Sequence, residues 1–311
     1  MNRPCPLCGS GEQRVSVSIP PRQFIARNRH CNPEVVAGWG EDMDFPLPLC
    51  RCLKCRFVFA GRLPEPDFLD RLYACDPRDD AHASLRLDWT AHLASVAARL
   101  FRAAALLGDG PKSILDFGCG HGTLVRLLNA PGGEIHSVGF ENDSSSLQFL
   151  KRKGIPVLET WEDCKANGPF DVICLNEVLE HVPDPRALLR GLLEMTKPGG
   201  LIFLAVPSMP DYHLRRQIRA IRRGGAFDPA INLWEHLNYF SGISLDKMAR
   251  SEGWVPMEGP WSQDLGFRPD LRGAALLRNL LQAGRAAAEA ILFSNPRVTA
   301  RFFQKPPGLS V

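Results

Sequence analysis

The chain has 311 residues, about twice a typical ~150-residue domain, so one large domain with a smaller companion is expected. Hydrophobic residues at 45% and charged residues at 23% exclude disordered, fibrous and collagen-like classes, and a net charge of +3 argues against a nucleic-acid partner. The longest apolar run, Leu201–Val206, falls far short of the ~20 residues that a transmembrane helix requires.

The chain opens MNRPCPLCGS, without a basic-then-apolar leader, so a cytoplasmic setting is expected and disulfides are not. Two C-x-x-C knuckles stand out: Cys5-Pro6-Leu7-Cys8 and Cys52-Leu53-Lys54-Cys55. Each turn aims two thiolates at one point, and together they complete the tetrahedral sulfur shell that zinc prefers. Cys50 competes with Cys52 for a place in that shell, and Cys31 reads as a bystander. Four thiolates leave no open position for water, so the zinc is expected to be structural. Residues 1–61 are too few to rely on a core of their own, and metal binding supplies the missing folding energy. The apolar run Arg56–Phe59 suits the hairpin of such a zinc ribbon.

Residues 62–110 read as a linker punctuated by Pro64, Pro66 and Pro77, followed by a leading helix over Leu85–Leu107. Residues 111–311 form the second domain. Apolar runs at Ser113–Phe117, Ile135–Phe140, Pro156–Leu158, Phe170–Leu175 and Leu201–Val206 alternate with amphipathic stretches. That alternation predicts an α/β fold, a doubly wound, Rossmann-like and mostly parallel sheet with ligands at the carboxyl ends of its strands. Val298–Phe303 is expected to add a last, antiparallel strand, and Leu271–Phe293 reads as an amphipathic helix.

Asp116-Phe117-Gly118-Cys119-Gly120-His121-Gly122 leaves a predicted strand and enters a predicted helix. Glycines at 118 and 120 permit a tight turn and close approach of a ligand, and Gly122 opens the helix. A dinucleotide fingerprint, G-x-G-x-x-G, would need glycine where Thr123 stands. The spacing D-x-G-x-G-x-G resembles instead the first motif of class I S-adenosylmethionine-dependent methyltransferases. The next strand ends in Glu141, as the ribose-binding strand of that family does. The resemblance implies a cofactor site at Asp116, Gly118, Gly120, Gly122 and Glu141. It also places Glu162 or Asp163 near the exocyclic amine of adenine, Trp161 against its ring, and Asn176 at the end of the fourth strand.

The stretch from Phe170 through Glu177-Val178-Leu179-Glu180-His181 to Pro185, with Lys197-Pro198-Gly199-Gly200 beyond it, resembles small-molecule methyltransferases, including those of ubiquinone biosynthesis. On a helix, Glu177, Glu180 and His181 would share one face. Three uses compete: a second divalent metal on that triplet, a general base at His181, or a packed and capped loop. A lid over 208–240 carries five arginines between Arg215 and Arg223, suited to an anionic substrate or a peripheral membrane contact and equally to a solvated face. Within it, Glu235-His236-Leu237-Asn238-Tyr239-Phe240-Ser241 resembles zinc-ribbon sugar methyltransferases, which implies His236 as general base, Glu235 as its partner and Tyr73 as a further site residue. A small-molecule acceptor is the expectation. An RNA methyltransferase and a non-catalytic scaffold that keeps the cofactor pocket are the alternatives.

Overall fold

The computed structural model describes residues 3–19, 46–63, 83–129, 133–228, 230–233, 235–257 and 298–308. Cys31, Tyr73 and the predicted helix Leu271–Phe293 lie outside them.

The leading helix, α1, spans Ala83–Ala105. The strands of the body are β4 (Lys112–Phe117), β5 (Ile135–Phe140), β6 (Val157–Leu158), β7 (Phe170–Asn176) and β8 (Thr196–Pro207). Beyond them come β10 (Val255–Pro256) and β11 (Val298–Gln304). Between the strands lie α2 (Thr123–Leu128), α3 (Ser144–Arg152), α4 (Trp161–Asn167), α5 (Pro185–Glu194), α6 (Asp211–Arg222) and α7 (Gly242–Ser251).

The seven strands form one sheet in the order β10-β11-β8-β7-β4-β5-β6, parallel from β6 to β8 and antiparallel at β11 and β10. This is the expected mostly parallel α/β sheet. Period-two alternation divides its residues between two helix layers. Val172 and Cys174 of β7 pack with α1 on one face, while Ile173 and Leu175 join α5 and α7 on the other. Chain order reverses at β4, which pairs with β5 on one side and β7 on the other. The crevice at the carboxyl ends of β4 and β7 is therefore the topological switch point.

Asp171 lies at the opposite end of β7. Its Oδ2 accepts from the Ser113 N–H at 2.8 Å, the Ser113 hydroxyl at 2.8 Å and the Lys197 ammonium at 2.7 Å. The acid of the Phe170-Asp171-Val172 motif thus ties three strands together, away from the crevice.

The amino-terminal lobe contributes β1 (Gln13–Ile19), β2 (Leu47–Cys52) and β3 (Val58–Ala60) to an antiparallel sheet. Its fourth strand, β9 (Asn238–Tyr239), comes from the lid, with Val58 opposite Tyr239 and Phe59 opposite Asn238. Phe57 packs on Phe240 with ring centroids 5.3 Å apart, so the apolar core of the lobe runs on into that of the body.

On α5, a Cβ added at Gly191 would fall 2.5 Å from Cζ2 of Trp161 on α4. Gly191→Ala should gain about 1 kcal/mol of helix propensity. Displacing the indole costs more, and we expect a net loss of about 1–2 kcal/mol in urea unfolding followed by tryptophan fluorescence.

Candidate active site

After Phe117 the chain reverses through a turn in which Gly118, Gly120 and Gly122 all take left-handed φ values, 78°, 53° and 69°. A side chain at either end of the turn would also collide: a Cβ at Gly118 with Val178 at 2.7 Å, and one at Gly122 with Leu150 at 2.6 Å. Gly120 is different, because among the described residues, its chain neighbours aside, no atom lies within 4 Å of its would-be Cβ. The turn therefore presents bare backbone to open space at its apex, as a cradle for a ligand requires.

The Glu141 carboxylate, at the end of β5, bends over this turn. Its Oε2 accepts the Gly120 N–H at 2.8 Å, and its Oε1 accepts the N–H groups of Asn142 and Asp143 at 2.9 and 3.0 Å. Two acceptor sites per carboxylate oxygen leave Oε2 able to receive a ribose hydroxyl. Asp116 lies beneath, buried and bonded to the Cys174 thiol of β7. Burial, with a smaller push from Glu141, raises its pKa to about 7.

At the end of β7, Asn176 Oδ1 meets His92 Nε2 of α1 at 3.1 Å, a contact that no motif in the sequence announces. Glu177 then turns the chain off the sheet with φ 57°, a left-handed conformation unusual for a residue with a side chain. Residues 177–182 form turns and bends rather than the expected helix, which corrects the reading of Glu177, Glu180 and His181 as one helical face. The reason is local: Pro183 and Pro185 lack the amide donors a continuing helix needs, and α5 starts at Pro185 with Asp184 as its cap.

The turn brings a different trio together. Glu180, His181 and His236 offer ligand atoms that all lie within 4.8 Å of one another, and Glu177 is not among them. The two imidazoles meet edge to face, centroids 4.7 Å apart at 85°. Glu180 is 1% exposed, neither carboxylate oxygen has a hydrogen-bond partner among the described residues, and His181 Nε2 lies 3.8 Å away. Burial, and secondarily the charge of Glu177, holds its pKa well above the usual carboxylate range.

His236 Nδ1 donates to the Ala230 carbonyl at 2.8 Å, and the Ala230 N–H donates to Asp228 Oδ1 at 3.0 Å. The donated proton assigns the tautomer and leaves Nε2 with its lone pair. Burial lowers the His236 pKa below its usual 6.5, so the neutral ring dominates at pH 7. Glu235, expected as its partner, instead accepts from the Asn232 side-chain amide; the Ala230 carbonyl orients the imidazole. Asp228 lay outside any motif and was missed for that reason.

On the adenine side of the expected site, the Asp163 carboxylate accepts the Thr160 N–H at 3.0 Å and closes a capping box on α4. Glu162 is exposed, and Trp161 packs edge-on to Phe117 and against Gly191.

The four cysteines of the two knuckles gather as expected, their sulfurs all within 4.8 Å of one another. The Cys5–Cys55 and Cys8–Cys52 separations are 3.5 and 3.6 Å, close to the ~3.8 Å edge of a tetrahedron with ~2.3 Å zinc–sulfur bonds. The donor set and its spacing fit zinc. Cys50 is buried against Gly61 instead, which leaves Cys52 in the shell.

Residues 89–258, more than half of the chain, match a family model described as a methyltransferase domain. Among curated proteins, the chain is similar to the ubiquinone biosynthesis O-methyltransferases of Escherichia coli and Escherichia fergusonii, 36% identical over 111 residues. That alignment takes in 33% of this chain and 45% of each relative, so the chain spans less than half of the relatives' length. Among solved structures, it is similar to the plantazolicin methyltransferase BamL bound to a desmethylplantazolicin analogue and S-adenosylhomocysteine (15% identity, TM-score 0.49, 71% of this chain and 89% of that one). It is also similar to the methyltransferase in complex with the Trm112 activator of Haloferax volcanii (16%, TM-score 0.48, 75% and 96%).

Two outcomes are expected. The methyl of Gly120→Ala enters open space and carries only the cost of a left-handed φ, about 1 kcal/mol, so the variant should fold and lose at least about tenfold in affinity for S-adenosylhomocysteine by calorimetry. The raised pKa of Asp116 works against the folded state: the penalty is absent below the unfolded-state pKa near 4, grows as pH rises, and is complete above about 7. Asp116→Asn should therefore stabilise the protein at pH 8, by about 4 kcal/mol at most, and leave it unchanged at pH 4 in urea titrations.

Proposed function

The chain belongs to the family of S-adenosylmethionine-dependent methyltransferases, and from that premise we propose that it methylates a small molecule, a sugar, nucleotide sugar or phenol, at oxygen or carbon, with His236 as general base. The observation that carries this reading is the bare apex at Gly120, capped by Glu141, in the turn after β4, next to the strand that leads to the histidine pair.

S-adenosylmethionine, when bound, supplies a methyl group already activated on a sulfonium. The protein's task is then to hold donor and acceptor in line and keep water out. Backbone at Gly118–Gly122 and Oε2 of Glu141 receive the nucleoside end of the cofactor. Asn176, anchored by His92, and the turn at Glu177 wall the adjoining side; Val178 of that turn abuts Gly118. The acceptor lies against His236, whose Nε2 takes the proton that a hydroxyl or carbon acid must lose. The Ala230 carbonyl keeps the donated Nδ1 proton in place and so preserves the productive tautomer. Zinc on Cys5, Cys8, Cys52 and Cys55 has a structural role, with every ligand position filled by protein sulfur.

A second reading has its own observation. Both oxygens of Glu180 are buried, without hydrogen bonds among the described residues, beside two imidazoles, a donor set able to hold a divalent cation. In that case His236 is a ligand rather than a base. Elemental analysis separates the two: one metal ion per chain supports the base, and two, falling to one in Glu180→Gln, supports the cation.

The test of the function is transfer of labelled methyl from S-adenosylmethionine to a catechol, a nucleotide sugar and an RNA fragment. Transfer to either small molecule, with a loss of about 10²-fold or more in His236→Gln, is expected. Because the His236 pKa lies below the usual value, the parent's rate should hold from neutral pH to below the ordinary imidazole midpoint before it declines, and the variant should lack that acid limb. Transfer to RNA alone, or undiminished turnover in His236→Gln, would refute the proposal.

A further inference from the structure

Arg3 stands two residues before the first zinc-ligand candidate, yet its side chain reaches the histidine pair's supports. It is 8% exposed, and its backbone N–H donates to the Gly61 carbonyl at 3.0 Å, fixing it within the amino-terminal lobe. The guanidinium faces the Phe59 ring at 5.9 Å. Nη1 donates to the Leu237 carbonyl at 3.0 Å, and Nη2 donates to Asn238 Oδ1 at 3.0 Å and to the Pro183 carbonyl. A buried guanidinium is tolerated only where such acceptors compensate its lost hydration.

Those acceptors belong to two segments that also bond each other directly. Asn238 Nδ2 donates to the carbonyls of Leu179 and Val182 at 3.1 and 2.8 Å, and the N–H groups of Leu237 and Asn238 both donate to the Glu180 carbonyl at 2.7 and 3.0 Å. One segment carries Glu180 and His181; the other begins with His236. Arg3 bridges them from outside both.

We infer that Arg3 is a positioning residue that holds the 179–183 loop against the 236–238 segment, so that His181 and His236 keep their edge-to-face contact. The inference rests on the reading of these histidines as the reacting end of the site. A lysine cannot replace it, because one ammonium lacks the planar fork that reaches three acceptors in two directions. The groups that face His236 are His181, Glu180 and Asp228, the last through Ala230.

The experiment needs no methyl acceptor. Full-length Arg3→Lys and Arg3→Gln are compared with the parent in zinc content, S-adenosylhomocysteine affinity by calorimetry, and the ring-proton NMR titration of His236, assigned by its disappearance in His236→Gln. We expect zinc content to be unchanged and cofactor affinity within about twofold, while the His236 midpoint moves up toward that of a solvated imidazole as the pocket loosens. The mutual ring-current shift of His181 and His236 should also collapse. Parent-like titration and ring shifts in both zinc-retaining variants would overturn the inference. Loss of zinc from both would overturn it as well, by making Arg3 a folding residue of the lobe. Undiminished methyl transfer in His236→Gln would defeat the base reading alone, because the titration reports ring geometry and not turnover.

Discussion

Three backbone N–H groups from two successive turns converge on the carboxylate of Glu141, and the mouth of the sheet has its shape because of them. A run of left-handed glycines is entropically costly and would not hold one conformation unaided. Glu141 fixes its apex from the neighbouring strand while Val178 and Leu150 close off its flanks. The same carboxylate disfavours a second charge close by, and it adds to the burial that keeps Asp116 protonated over most of the acidic range. One acid thus faces the crevice and the other supports the floor beneath it.

The cysteine lobe is part of the same construction. Its sheet is completed by a strand from the lid, its aromatic residues run into the core around Phe240, and its sulfurs sit at the spacing zinc requires. The lobe meets the segment that follows His236 through the β3–β9 pairing and through the Arg3 side chain.

Much of this was legible in the sequence, and unevenly so. Strand periodicity located β4, β5, β7 and β11 to within a residue or two, because alternation along a two-sided sheet leaves a strong imprint. The two C-x-x-C knuckles and the glycine run were equally plain, since their chemistry depends on short spacings. The Glu177–His181 stretch misled because its helical spacing was overridden by Pro183, Pro185 and the left-handed turn at Glu177. Glu235 misled because adjacency to a histidine does not make a carboxylate its partner; a carbonyl six residues upstream did that. Arg3, His92 and Asp228 carried no local signal at all. Their partners are set by tertiary structure, and one arginine among 37 basic residues cannot be singled out by pattern.

The hydrogen bonds from Arg3 span 180 to 235 positions of chain. Closing loops of that length carries a large entropic cost that nearby contacts cannot repay until both lobes are already folded. The imidazole pair should consequently be among the last features to mature, after synthesis has passed the lid and the cysteine lobe has found its edge strand. A nascent chain would then form the Gly118–Gly122 turn well before it brings His181 and His236 together.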